Sequence, residues 1–545
     1  MIEETIGDIL DKTAEKFPDK DALVYPDRNL RYSYREFKNI CDKVAKGLMK
    51  LGVKKGDHVA IWAYNVPEWV IIQFATAKIG AVLVTVNTYY KSHELEYLLK
   101  QSDSTTLFLT EKFKDVNYIE TLYSVIPELK NSEPGKLNSK KLPYLKNVIF
   151  IGEKNFPGMY KFEDIIKIGK DVSNDELKEI QNSLDKDDVI NMQYTSGTTG
   201  FPKGVMLTHY NIVNNAYFVG KYQNFTEKDK LCIPVPFFHC FGCVLGTLCS
   251  VIYGITMVPI EIFNPVKVLE AVEKEKCTAL YGVPTMFIAE LGVENFDEFD
   301  LSSLRTGIMA GSPCPIEVMK KVIDKMNMKE ITICYGLTEA SPVVTQTSID
   351  DPIELRVSTV GKPHPANEVK IVDGNGNEVP RNTPGELIVK GYNIMKGYYK
   401  NPEATKKAIR NGWLHTKDLA MMDENGYCKI LGRIDDMIIR GGENVYPREV
   451  EEYLYKNEKI KDVAVIGVPS EKYGEEVMAY IILKKGIKAT EEEIREFCRK
   501  GIARYKVPKY IKFVKEFPLT ASGKVQKFKL KEMAKKELGI EDGKK

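Results

Sequence analysis

The stretch YTSGTTGFPKGV, Tyr194 to Val205, puts three glycines, four serine or threonine hydroxyls and a lysine within twelve residues. A packed core has no use for such a run, which buries almost nothing and loses much backbone entropy on ordering. Glycines let backbone amides approach a ligand closely, and hydroxyls with Lys203 donate to anionic oxygens. The chemistry this points to is the holding of phosphates, set against an ordinary surface loop. The spacing is not that of the Walker A loop, G-x-x-x-x-G-K followed by Ser or Thr, because Lys203 follows Pro202 and precedes Gly204. A second cluster, HCFGC from His239 to Cys243, suggests metal or redox chemistry at first sight. It lacks a second Cys/His pair at zinc-like spacing and sits in apolar surroundings, so these thiols read as buried and free.

These residues need elements to hold them. VINMQY, Val189 to Tyr194, reads as a strand running into the glycine-rich loop. From about residue 20 to 330, strand-like runs (59–65, 81–87, 106–110, 147–152, 255–260) alternate with helical stretches such as 34–52 and 265–276. That alternation predicts an α/β fold with layered parallel sheets. NSEPGKLNSKKL, Asn131 to Leu142, reads as an exposed excursion. From about 345 to 432, turns such as DGNGN and NTPG separate short strands, which predicts a small β-rich subdomain. Beyond it the texture changes again, to a compact tail over 433–545. At 545 residues the chain is long enough for about three to four domains.

With 78 basic against 76 acidic residues, the charge balance gives no argument for a nucleic-acid partner or an anionic membrane surface. No apolar run is long enough for a transmembrane segment. The start, MIEETIGDILDKTAEKFPDK, carries acids and no signal-peptide core; it reads as an amphipathic helix with Ile2, Ile6, Ile9 and Leu10 on one face. A cytoplasmic location is expected.

Four further clusters follow the loop in order: PFFHCFG at 236–242, YGLTEAS at 335–341, WLHTKDLA at 413–420 with GRIDDMI at 432–438, and PLTASGKVQK at 518–527. Together the five motifs resemble the adenylate-forming superfamily of acyl-CoA synthetases, luciferases and peptide-synthetase adenylation domains. YTSGTTGFPKGVMLTHYNIVNN, YGVPTMF, IIRGGENVYPREVE and PLTASGKVQKFKLKE look most like its medium-chain fatty-acyl-CoA synthetases. The resemblance spans nearly the whole chain. It implies a large N-terminal domain, 1–432, and a smaller mobile α+β C-terminal domain, 433–545, with ATP and a small-molecule carboxylic acid bound between them. It also implies two steps: acid and ATP give acyl-AMP and pyrophosphate, then coenzyme A displaces AMP.

The same resemblance assigns roles residue by residue. Thr195, Ser196, Gly197, Thr198, Thr199, Gly200 and Lys203 would clamp the β- and γ-phosphates. Glu339 would bind Mg²⁺, a cation that prefers hard oxygen ligands, and Thr338 would bond the α-phosphate. Tyr335 either lies against adenine or simply packs in the core. Gly311 would line the adenine and acyl sites. Asp418 would take the ribose hydroxyls, although Lys417 stands where the family's T-G-D pattern has glycine; if that glycine is needed for close approach, the local backbone must differ. Arg433 would contact ribose or phosphate, and Asp435 would be the hinge or else a plain surface acid. Lys524 would neutralise charge during adenylation, selected from a lysine-rich tail by its motif alone. Gly441, Gly442 and Asn444 would face the thiol channel after the small domain turns. His239 would flank the acyl pocket, either moving between steps or fixed in the core. Phe237, Phe238, Tyr281, Gly282, Val283 and Pro284 would wall that pocket, an apolar lining suited to an aliphatic acid.

Four rivals share parts of this pattern. A peptide-synthetase domain would carry an aspartate near PFFH to hold an ammonium, and no acid occurs from Val235 to Gly254. A luciferase-like oxygenase, or an acyl-AMP ligase that loads a carrier protein, shares the first half-reaction. A non-catalytic nucleotide sensor would need neither Glu339 nor Lys524.

Overall fold

Nearly unbroken apolar runs such as His58–Trp62, Thr106–Leu109 and Asn147–Phe150 suit strands covered on both faces. In the computed structural model, which describes residues 1–195 and 202–539, these three lie parallel in one eight-stranded sheet. Its order is Gly397–Tyr398, Lys203–Thr208, Val189–Thr195, Val82–Thr85, His58–Trp62, Thr106–Leu109, Asn147–Phe150, Tyr160–Lys161. Lys203–Thr208 runs antiparallel to both its neighbours, which sets Lys203 opposite Thr195 at one end of the sheet.

A nine-stranded sheet has a parallel centre in the order Glu330–Gly336, Thr306–Ala310, Ala279–Gly282, Lys230–Ile233, Thr256–Pro259, Asp21–Tyr25. Antiparallel strands close both its edges. The helix Pro67–Ile79 buries every residue except Glu68 in the core cluster fed by both sheets. A helix apolar on all sides has to be covered on all sides. The one cation in that buried set, Lys78, is neutralised by Asp11 and by Asp42 at 2.8 Å.

Two smaller sheets follow. One is antiparallel and runs from Asn367–Val372 to Cys428–Arg433; the other holds Ile438–Arg440, Glu443–Val445, Ile460–Ser470, Gly474–Leu483 and Tyr510–Phe513. The helix Pro447–Leu454 packs on the latter through Val450 and Leu454. This mixed α/β architecture, large N-terminal and small C-terminal, is the fold class the sequence predicts.

Several boundaries differ from the sequence reading. Residues 345–366 do not join the β-rich sheet: Val343–Gln346 and Lys362–Pro363 extend the nine-stranded sheet, with the helix Ile353–Ser358 between them. A short alternating run looks the same whichever sheet claims it. The first helix starts at Ile6, capped by Thr5, and Ile2 instead donates its amide to Asn214 Oδ1 at 2.7 Å. The polar excursion at 131–142 is pinned to the core by Leu137 and Leu142, both almost fully buried.

Candidate active site

In a parallel sheet the loops leaving the carboxyl ends of neighbouring strands lie side by side, and ligands settle there. Tyr335 ends Glu330–Gly336, Gly311 follows Thr306–Ala310, Val283 follows Ala279–Gly282, and the segment 234–239 follows Lys230–Ile233. The strand order therefore gathers four of the sequence motifs along one rim. Gly311 has φ +90°. A Cβ built there would stand 3.1 Å from Val283 Cγ1 and 3.6 Å from Lys524 Cε, so the glycine keeps open the gap into which Lys524 reaches.

Asp418 enters this rim from the β-rich sheet. It accepts a 2.6 Å hydrogen bond from Tyr335 Oη and meets Arg433 Nε at 3.3 Å, Arg433 being its cross-strand partner. Burial raises its carboxyl above the ordinary aspartate range, and Arg433 and the Tyr335 hydroxyl pull it part of the way back. Lys417, where the family motif has glycine, adopts φ +60°. That left-handed backbone costs a lysine about 1–2 kcal/mol of strain that glycine would not carry. Its amide is held by Glu386 Oε1 at 3.0 Å, and its side chain points to solvent.

Glu339 sits in the single turn Thr338–Ala340, directly after the Tyr335 strand. Its Oε1 accepts a 2.8 Å hydrogen bond from Tyr398 Oη, and its backbone carbonyl accepts the amide of Met395 at 2.9 Å. Among the described residues, its second carboxylate oxygen and the Thr338 hydroxyl have no hydrogen-bond partner. Thr195 and Lys203, the described residues on either side of the glycine-rich stretch, pair with each other across two antiparallel strands. Lys203 Nζ lies 4.6 Å from the centroid of the Tyr398 ring. Ser196, Gly197, Thr198, Thr199 and Gly200 lie outside the described residues.

Lys524 comes from the small domain. Its turn closes through Thr520 N to Lys524 O at 2.7 Å and Lys524 N to Thr520 Oγ1 at 3.0 Å, with Gly523 at φ +81°. The turn is fastened to the large domain by Thr285 Oγ1, which donates to Gly523 O at 3.0 Å. Lys524 keeps contact with solvent in the cleft, yet the protein walls around it lower its ammonium pKa. Arg433 adds to that depression, whereas Asp418 and Glu339 oppose it, so four charges act on one another across one space. Two more contacts seat the small domain: Ile316 N donates to Glu452 Oε2 at 3.1 Å, and Arg448 donates to Ile430 O at 3.1 Å.

His239 is half-buried, packs its ring 4.5 Å from that of Phe238, and makes no side-chain hydrogen bond among the described residues. Burial drops its pKa to about 3, with Lys524 contributing, so the ring is neutral. The segment is anchored by Asn65, which accepts from Phe237 N at 2.8 Å and donates to Val235 O and Ile260 O. It runs into a π-helix, Phe241–Leu248, whose Cys243 carbonyl takes the Gln73 amide at 2.7 Å. Such wide turns are uncommon and cluster at functional sites. Phe237 packs on Trp69, and Tyr281 accepts from Gln223 at 2.8 Å; both rings are fully buried. A Cβ on Gly282 would meet Phe287 at 2.8 Å.

The remaining expected residues stand apart. Asp435 is exposed in the turn Ile434–Asp436. Gly441 and Gly442 form the two-residue loop of a tight hairpin with φ +59° and +88°, and exposed Asn444 lies on its second strand. The ten cysteines are buried and unpaired. Sequence reasoning passed over Tyr398, Thr285, Asn65 and the π-helix. Of these, Tyr398 carried the one local signal, a tyrosine pair just after a Lys–Gly step.

A family model described as AMP-binding enzyme matches residues 10–399, and one described as AMP-binding enzyme C-terminal domain matches 449–524. The Bacillus subtilis (strain 168) protein YngI, provisionally named an acyl-CoA synthetase, is 58% identical over 98% of this chain and 97% of its own. The Bos taurus mitochondrial medium-chain acyl-CoA ligase ACSF2 is 42% identical over 98% of this chain and 88% of its own. An anthranilate CoA ligase, AuaEII, solved in complex with anthranoyl-AMP, superposes with TM-score 0.87 at 28% identity, covering 99% of each chain. No helix among the described residues is long and apolar enough to cross a membrane.

Proposed function

This chain belongs to the AMP-binding enzyme family, and from that premise we propose that it is an acyl-CoA synthetase whose acid is a fatty acid of medium chain length. A carboxylate oxygen of the acid attacks the α-phosphorus of ATP and pyrophosphate leaves. The sulfur of coenzyme A then attacks the acyl carbon, AMP leaves, and the thiol gives up its proton. Both steps build or shift negative charge, so the protein contributes mainly positioning and fixed opposite charge.

Lys524 supplies the cation beside the α-phosphate, and Arg433 a second one at the ribose side. Asp418 accepts from the ribose hydroxyls once the Tyr335 hydroxyl yields its place on the carboxylate, the tyrosine ring lying against adenine. Thr195, Lys203 and the loop between them hold the pyrophosphate oxygens. The open carboxylate oxygen of Glu339 fits Mg²⁺, which takes few protein ligands and keeps phosphate oxygens and waters. Bound with the nucleotide, it would neutralise phosphate charge.

The observation that carries the reading is the Lys524 turn, seated by Thr285 within electrostatic reach of Asp418, Arg433 and Glu339. The medium-chain assignment rests on ACSF2 and on the apolar segment around His239. The test is release of AMP and pyrophosphate across straight-chain, branched and aromatic acids, each with and without coenzyme A. Turnover that needs coenzyme A and peaks at medium straight chains supports the proposal. Acid-dependent pyrophosphate release without a thioester would make the protein a carrier-protein ligase, and silence across the panel would leave a nucleotide sensor.

A further inference from the structure

Tyr398 lies where three separate parts of the chain meet. Its short strand Gly397–Tyr398 pairs with Lys203–Thr208, the strand that leaves the phosphate loop, with Tyr398 opposite Val205. Backbone bonds fix it on both sides: Lys396 N to Met206 O at 2.9 Å and Tyr399 N to Gly204 O at 2.8 Å. Its own amide is held by Thr405 Oγ1 at 2.9 Å. The side chain, almost fully buried, donates to Glu339 Oε1 at 2.8 Å and offers its ring face to Lys203 Nζ at 4.6 Å.

That arrangement has a chemical logic. A lysine or arginine beside Glu339 would fix the carboxylate but cancel the charge a dication needs. A phenol fixes one oxygen and leaves the charge intact, with the second oxygen open. A tyrosine phenol carries its proton at neutral pH, so it acts here as an uncharged donor. The ring meanwhile gives Lys203 a place to rest by cation–π attraction until phosphates draw it away.

We propose that Tyr398 is a positioning residue: its hydroxyl orients Glu339 toward the divalent cation of the nucleotide, and its ring links that carboxylate to Lys203 of the phosphate loop. The proposal rests on the reading of Glu339 as the magnesium residue. The experiment compares the full-length parent with Tyr398→Phe, Glu339→Gln and the double variant. ATP binding is measured by calorimetry across a magnesium series with no acid present, and turnover across the same series. Tyr398→Phe should raise the half-saturating magnesium concentration about tenfold or more while kcat at saturating magnesium stays within about twofold of the parent. In the Glu339→Gln background the same change should add nothing further. A drop in kcat at unchanged magnesium dependence would overturn the positioning role. Full additivity in the double variant would do the same, since it means that the two side chains act separately. If Glu339→Gln itself leaves the magnesium dependence of ATP binding untouched, the Glu339 reading fails and the proposal with it. Because that arm needs no acid, it is distinct from failure of the acyl-CoA synthetase reading, which shows as parent enzyme that binds Mg·ATP yet activates no acid.

Discussion

Thr285 Oγ1 donates a 3.0 Å hydrogen bond to the carbonyl oxygen of Gly523, the residue immediately before Lys524. The two are 238 residues apart and belong to the large and small domains respectively. Gly523 at φ +81° leaves a Cβ little room, since one would stand 3.0 Å from Val283 Cγ2 and 3.1 Å from Thr285 Oγ1. The turn therefore sits on the rim by backbone contact, and the lysine that follows projects past Gly311 into the cleft.

Loosening that seat should impair adenylation without touching nucleotide affinity. Thr285→Val removes one hydrogen bond of about 1 kcal/mol, and Gly523→Ala adds left-handed strain of about 1–2 kcal/mol together with the close contact. Acid-dependent exchange of pyrophosphate into ATP should fall roughly 5-fold in the first and more than ~10-fold in the second. ATP affinity by calorimetry should stay at the parental value; a parallel loss would mean that the turn is part of the nucleotide site itself.

Removing the ammonium should be far more severe. Lys524→Ala is expected to slow pyrophosphate exchange by about 10²–10³, the effect of losing one preorganised electrostatic partner, while ATP still binds. Lys527→Ala, which breaks a 2.7 Å ion pair with Glu451, should leave exchange nearly intact. Desolvation by the surrounding protein walls and the Arg433 charge depress the pKa of the solvent-touching Lys524, so exchange should fall on the alkaline side through a group titrating below the ordinary lysine value of 10.5. An alkaline limb at or above that value would show that the depressed lysine is not the acting cation.

Asp418 and Tyr335 make a separable pair. The 2.6 Å bond between them occupies one carboxylate oxygen that the ribose is proposed to use. Asp418→Asn should weaken ATP binding about tenfold or more, because an amide replaces one acceptor with a donor and leaves Arg433 without its partner. Tyr335→Phe should change it less than Asp418→Asn, since it frees the oxygen while keeping the ring. Equal losses in calorimetry would show that the tyrosine hydroxyl, and not its ring, serves the nucleotide.

Much of this was legible in the sequence, and the reasons are physical. Apolar runs such as His58–Trp62 have to be buried strands, and their parallel order then fixes which loops share a rim. Asp418, Glu339 and Lys524 stood out only through the family motifs that contain them, since a charged residue by itself reads equally well as a solvated surface group. Tyr398 and Thr285 did not: one reads as an apolar strand residue and the other as the start of a helix, and each acquires its partner only on folding. The π-helix Phe241–Leu248 was invisible because an unbroken apolar run has no period to reveal how it winds. Asn65 read only as the last residue of the strand-like run 59–65, whereas its side-chain amide and carbonyl join the ends of three strands.

Glu290 gives the molecule a pH-dependent liability away from the site. It is fully buried on the helix Pro284–Leu291, and neither carboxyl oxygen has a hydrogen-bond partner among the described residues. Burial alone raises its pKa well above the ordinary 4.5. The folded state therefore holds a proton that the unfolded state releases above about pH 4.5, so the folded state binds more protons over that window. Stability from this group is present in full below the unfolded pKa and drains away as pH rises toward the folded one, by up to ~1.4 kcal/mol per pH unit. Glu290→Gln removes the titration, so its thermal midpoint should match or trail the parent near pH 4.5 and exceed it increasingly toward pH 8. Glu290→Met also removes the unsatisfied polar group, which typically costs about 1–3 kcal/mol, and should be the more stable variant at every pH. A difference between variant and parent that does not grow with pH would show that Glu290 finds a charge partner in the folded protein.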